Sequence, residues 1–130
     1  MTPQFKLDFA KAGGLVTAVT VDADSGEVLM LAYMNEEAFN LTLQTQKVHY
    51  WSRSRNKLWK KGESSGNMQE LVELRVDCDQ DAVLVRARQR GPACHEGYKS
   101  CFFRRVAEDG SLETLGERLM DPAQMYGGAK

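Results

Sequence analysis

The chain has 130 residues, enough for one compact domain and too few to hold two comfortably. A formal net charge of −1 argues against a general binder of polyanions, so any attraction to phosphate is local. No apolar run approaches the ~20 residues of a membrane span, and Met1 to Gly13 lacks the basic-then-apolar order of a secretory signal, so a cytoplasmic location is the expectation.

Leu15 to Val21 is apolar and β-branched and reads as a strand. Asp22 to Gly26 gathers Asp, Ser and Gly, the residues of a turn, and Val28 to Met34 reads as the returning strand of a hairpin. Asn35 suits a helix N-cap, Glu36 and Glu37 suit the positive end of a helix dipole, and Ala38, Leu41 and Thr45 recur at helical spacing. A helix over Glu36 to Gln46 follows. Val48 to Ser54 is aromatic and extended, and Leu58 to Gly66 reads as a loop. Leu71 to Val76 and Val83 to Ala87 are two more strands. Gly91 and Pro92 break the pattern, which Cys101 to Val106 resumes. Asp109-Gly110 is a turn, and Glu113 to Lys130 is partly helical, fraying at Gly127 and Gly128. The expected fold is α+β, mostly β, a single domain with one clear helix.

Three cysteines, Cys78, Cys94 and Cys101, fit poorly with a closed disulfide framework. In a reducing compartment clustered thiols bind metal or do chemistry; the plainer alternative is three small buried hydrophobes. Cys78 lies inside Asp77-Cys78-Asp79-Gln80-Asp81. In an extended chain Asp77 and Asp79 share one face and Cys78 takes the other. Carboxylates are hard ligands suited to Mg²⁺ and a thiolate is a soft one suited to Zn²⁺. A straight strand spreads Asp77 to Asp81 over about 13 Å, too far for three ligands of one ion at about 2.1 Å. Direct ligation by all three therefore requires a bend near Gln80, as in a turn between the two flanking strands. The competing reading is a polar turn whose charges simply face water.

Cys94-His95-Glu96-Gly97 and Ser100-Cys101 place two thiols across a Gly-containing loop. With Cys78 they make three thiolates, which leave a fourth tetrahedral position of Zn²⁺ for water. His95 can be a fourth ligand, a general base or proton shuttle, or a plain surface residue. The base can equally be His49 or a carboxylate. Upstream, Trp51, Arg53, Ser54, Arg55, Lys61, Ser64 and Ser65 are the candidates for binding substrate. Arginine grips phosphate bidentately, lysine adds a point charge, and the Ser-Ser-Gly stretch offers hydroxyls and N–H groups. Trp51 or Tyr50 can stack on a base, whereas Trp59 also reads as a core residue of a strand. The charge here is that of one short segment, which favours a small phosphorylated ligand over a nucleic acid.

Four segments occur in order: Trp51-Ser52-Arg53-Ser54-Arg55, then Leu58 to Gly66, then Asp77 to Asp81, then Cys94 to Phe102. Together they resemble the phosphoribosyl-AMP cyclohydrolase family, over about Leu29 to Arg105. The resemblance implies Zn²⁺ on Cys78, Cys94 and Cys101, Mg²⁺ on Asp77, Asp79 and Asp81, and an obligate homodimer sharing the zinc site between subunits. It implies hydrolytic opening of the adenine ring at the C6–N1 bond of phosphoribosyl-AMP by zinc-activated water, in L-histidine biosynthesis; His95, from its place beside Cys94, is the catalytic candidate. Some members carry a fused pyrophosphohydrolase domain, for which a chain ending at Lys130 leaves no room. Two other readings compete. A nucleic-acid module predicts a closed four-ligand zinc and basic residues spread over one face. A redox sensor predicts a strongly depressed thiol pKa and no tightly bound metal.

Overall fold

The computed structural model describes residues 4–63 and 65–127, without the side chains of 125–127. Strand β1, Val16–Asp22, turns at Asp22 to Gly26 into β2, Val28–Met34. Asp22 fixes that turn by accepting from the Ser25 hydroxyl at 2.7 Å. The helix α1 covers Glu36–Thr45. Its N-cap is Asn35, whose Oδ1 accepts from the Ala38 N–H at 2.9 Å. It stops at Gln46, which adopts a left-handed φ of 62° and returns its N–H to Thr42. Strand β3, His49–Ser52, and β4, Lys57–Lys60, form a second hairpin. Strands β5, Gln69–Val76, and β6, Ala82–Gln89, form a third. A short ribbon of β7, Arg104–Val106, and β8, Leu112–Thr114, and a six-residue helix α2, Pro122–Gly127, follow.

The six longer strands make one sheet in the order β4-β3-β2-β1-β6-β5. Every pairing in it is antiparallel except that of β1 with β6. Alternation along β1 sends Val16, Ala18 and Thr20 to one face, where their partners Met34, Ala32 and Met30 on β2 and Val83 and Val85 on β6 also point. That face is the core. Phe39 and Leu43 of α1 pack into it, and Phe39 meets Phe5 and Phe9 edge-on at 6.1 and 6.5 Å. Burying a side chain such as Phe39 stabilises the fold by about 1.5–3 kcal/mol. The core also carries a polar thread: Thr20 and Tyr50 share a hydrogen bond of 2.6 Å, and Tyr50 donates to Gln69 at 2.6 Å. Burial without charge compensation holds the Tyr50 phenol well above its ordinary pKa.

Two stretches differ from the sequence expectation. Lys57–Lys60 is a strand rather than the start of a loop, because its backbone pairs with His49–Ser52; the loop begins at Lys61. The strand expected from Cys101 begins only at Arg104. Before it, the Cys101 N–H is drawn to the Leu29 carbonyl at 2.7 Å, at the start of β2, and Phe103 stacks on Tyr98 at 3.9 Å. Gly128 and the fraying expected there lie outside the described residues, while Gly127 ends α2.

Candidate functional site

A cleft of about 670 Å³ opens along the β3–β4 hairpin and the turn that follows it. The register explains its lining. Ser52 pairs with Lys57 and Tyr50 with Trp59, so these four share a face; Trp51 and Leu58 point the other way. Trp59 packs on Tyr50 at 5.0 Å and exposes its remainder to the cleft, so it serves both core and site. Arg55, Lys57, Lys60 and Lys61 line the cleft against the single carboxylate of Glu63. That excess of positive charge in a concave site suits a phosphorylated ligand.

Of the sequence candidates, Ser54, Arg55, Lys61, Ser65 and His95 line this cleft. Trp51 lies on the opposite sheet face, and Arg53 lays its guanidinium over the Tyr33 ring at 4.0 Å. Ser64 lies outside the described residues. Ser52, Lys57, Trp59 and Lys60 join the lining without having been singled out as ligand contacts. The signal for Lys57 was its alternation with Trp59, which becomes visible once the segment is taken as a strand.

The floor of the turn depends on Gly62. Its φ is 86°, and a Cβ there would meet the backbone N of Met68 at 2.5 Å and the carbonyl carbon of Asn67 at 2.7 Å. Backbone cannot yield as a side-chain tip can. Gly62→Ala is expected to cost about 2–3 kcal/mol. Its melting temperature should fall by on the order of 10 °C. An unchanged melting curve would show that the turn relaxes freely.

Beside the cleft runs the irregular segment from Gly91 to Phe103. The Lys61 ammonium donates to the Ala93 carbonyl at 2.5 Å and so ties cleft to segment. The Ala93 N–H donates to Lys99 and the Cys94 N–H to Tyr98, closing a small loop. This brings the Cys101 thiol against that of Cys94. Cys101 is exposed as a residue, yet the atoms around its sulfur partly desolvate the thiol; that desolvation, with the Cys94 thiol adding to it, pushes Cys101 up to about 11, and Lys61 opposes the shift. A redox-sensing thiol requires the reverse direction. Burial lowers the pKa of Lys61, while negative charge on Cys101 and Cys94 opposes that shift. His95, next to Cys94, is exposed at the cleft. His49 is buried instead, its Nδ1 2.8 Å from the Lys47 carbonyl oxygen, and it does not line the cleft.

Cys78 sits elsewhere, exposed in the turn between β5 and β6. Asp77 to Asp81 is this turn rather than an extended strand, so the alternation of Cys78 against its neighbours does not apply. The bend falls at Gln80, whose φ is 63°. Asp77 Oδ1 accepts from the N–H groups of Asp81 and Ala82 at 3.0 and 3.1 Å and holds the turn closed. Ligand oxygens of Asp77, Asp79 and Asp81 thereby lie within 4.8 Å of one another. Among the described residues this is the one trio of metal-ligating side chains that converges within a chain. Lys11 draws Asp79 down to about 2, while the nearby Asp79 and Asp77 carboxylates hold Asp81 above its ordinary range.

A cationic cleft with a histidine at its rim and two thiols acting on its Lys61, set on a small α+β domain, is the arrangement of an enzyme site for a small anionic substrate. Residues 30–103 match the family model described as phosphoribosyl-AMP cyclohydrolase. Similar proteins carry that name. One from Rhodopseudomonas palustris is 58% identical over 120 residues, covering 88% of this chain and 82% of the relative. One from Granulibacter bethesdensis is 59% identical over 114 residues, covering 88% and 89%. One from Nitratidesulfovibrio vulgaris is 52% identical over 123 residues, covering 94% and 97%. The chain belongs to the phosphoribosyl-AMP cyclohydrolase family.

Proposed function

We propose that the chain hydrolyses the C6–N1 bond of the adenine ring in 1-(5-phosphoribosyl)-AMP, a step of L-histidine biosynthesis, and releases the formimino-aminoimidazole carboxamide ribotide. The cationic cleft, with His95 in its lining and Cys94 and Cys101 acting on its Lys61, carries this reading. Arg55, Lys57 and Lys60 bind the phosphates and Trp59 presents an aromatic edge to the base. His95 is the base candidate at the cleft, since His49 is sequestered.

The donor sets fit two metals. The soft, adjacent thiols of Cys94 and Cys101 suit Zn²⁺, completed by Cys78 of a second copy. Zinc there supplies Lewis acidity that lowers the pKa of water to about 7. The converging hard oxygens of Asp77, Asp79 and Asp81 suit Mg²⁺, and an ammonium already fills the place of a cation among them. Val106 and Leu112, paired across the β7–β8 ribbon and both exposed, are apolar surface that a homodimer would cover. Among the described residues no helix is long and apolar enough to cross a membrane.

Incubation with phosphoribosyl-AMP should yield a product heavier by one water, read by mass spectrometry. Unaltered substrate after incubation with the zinc-loaded protein would overturn the proposal. Asp79→Asn should keep its zinc and lose much of its Mg²⁺ dependence; loss of zinc in this variant would reverse the division of ligands.

A further inference from the structure

The acidic turn already holds a cation belonging to the chain. Lys11 lies in a 3-10 turn, Phe9–Ala12, far from the β5–β6 hairpin in sequence. Its Nζ stands 2.8 Å from Asp79 Oδ2 and 3.2 Å from Asp81 Oδ2. The backbone around it is fixed. The Asp8 N–H donates to the Gln80 carbonyl at 2.7 Å, joining the two turns directly. The Asp8 carboxylate accepts from the Lys11 N–H at 3.2 Å, Leu7 is buried in the core, and Phe9 meets Phe39. The ammonium itself is not fixed, for the Lys11 side chain remains 47% exposed.

We propose that Lys11 is a tethered counter-ion that a divalent cation must displace, so that it sets the affinity of the acidic turn for that cation. The inference rests on the reading of Asp77, Asp79 and Asp81 as a Mg²⁺ site. Three carboxylates this close repel one another, and Lys11 relieves that repulsion while the ion is away. An ammonium has three donors and no lone pair, so it cannot join the coordination shell and must leave when a metal arrives. Leaving is cheap, because exposed ion pairs are weak and the lysine stem is flexible. The anchored turn stays in place, so the displaced ammonium remains nearby and rebinds when the ion departs. Each apparent affinity of the acidic turn therefore includes the cost of expelling Lys11.

Mn²⁺ binding to the full-length protein, followed by electron paramagnetic resonance, tests this without reference to turnover. Lys11→Met should bind Mn²⁺ about three- to tenfold more tightly than the wild type at low ionic strength. The gap should narrow as salt is added. Lys11→Arg keeps the charge and should stay near the wild type. Lys6→Met, which removes a charge that makes no ion pair among the described residues, should also change little. Asp79→Asn should weaken binding in every background. If Lys11→Met binds Mn²⁺ no more tightly than Lys6→Met, or binds it less tightly, the counter-ion role is wrong while the metal site stands. If Asp79→Asn leaves Mn²⁺ binding intact, or no variant binds Mn²⁺, the acidic turn is not the metal site and both readings fall.

Discussion

Cys94→Ser and Cys101→Ser proteins should each lose stoichiometric zinc and at least about 10³-fold in turnover. The two thiols are near enough to act on each other, so either substitution halves the donor pair a single chain provides. A hydroxyl is a poor ligand for zinc beside a thiolate, and its proton is harder to remove. Cys94 is buried, so a serine there also buries a polar group at about 1–3 kcal/mol if it finds no partner. Circular dichroism separates that effect from loss of metal. Cys101 is exposed enough to accept serine without such a penalty, which makes it the cleaner variant. Metal per chain by mass spectrometry and ring opening by product mass give the two readouts. Treating the wild-type protein with a chelator should reproduce the loss, and Zn²⁺, not Mg²⁺ alone, should restore turnover. A folded Cys101→Ser protein that turns over at the wild-type rate without zinc would remove the metal from the reaction.

Local chemistry was legible in the sequence wherever the cause was local. Asn35 with Glu36 and Glu37 marked the start of α1 because a cap acts within one turn, and Asp22 to Gly26 marked the first hairpin for the same reason. The bend at Gln80 was expected only on the condition that all three carboxylates meet one ion directly, since three oxygens cannot meet along a straight strand; the turn at Gln80 brings them within 4.8 Å of one another. Lys57–Lys60 was missed because two of its four residues are lysines, and its extended form comes from pairing with β3 rather than from its own propensity. The parallel pairing of β1 with β6 was equally hidden, since it joins Thr17 to Ala82 across four intervening strands and a helix. In the cleft, the sheet register decides which of the candidate side chains take part in the lining. Alternation turns Trp51 away from the cleft and Trp59 into it, and no pattern within the Trp51 to Arg55 motif distinguishes those outcomes. Lys11 was invisible for a further reason: its partners lie 68 and 70 positions away, in a turn whose position depends on the finished sheet.

A mixture of two inactive variants should regain activity. Cys78 stands in the β5–β6 turn, apart from the Cys94–Cys101 loop, and the three thiols do not converge in one chain among the described residues. A three-thiolate zinc site therefore needs Cys78 from a second copy, and two-fold symmetry then produces two such sites per dimer. Cys78→Ser protein alone lacks the first donor at both sites, and Cys94→Ser protein alone lacks the second at both. In a heterodimer the two defects fall together. One site has lost both Cys78 and Cys94, and the other retains all three thiols. Random pairing after joint unfolding and refolding puts about half of the chains in heterodimers, each with one intact site of two, so about a quarter of wild-type turnover should return. Zinc should return in the same proportion, which guards against a trace of active contaminant. Refolding each variant separately and mixing afterwards should restore nothing unless subunits exchange. A control using Cys94→Ser with Cys101→Ser should stay inactive, because those two thiols serve the same site from the same chain and every heterodimer site lacks one of them. Mass spectrometry of the intact dimers establishes that heterodimers have formed. Heterodimers of the Cys78 and Cys94 variants that stay inactive and zinc-free would mean that each chain supplies its ligands alone, through a rearrangement that carries Cys78 to the other thiols.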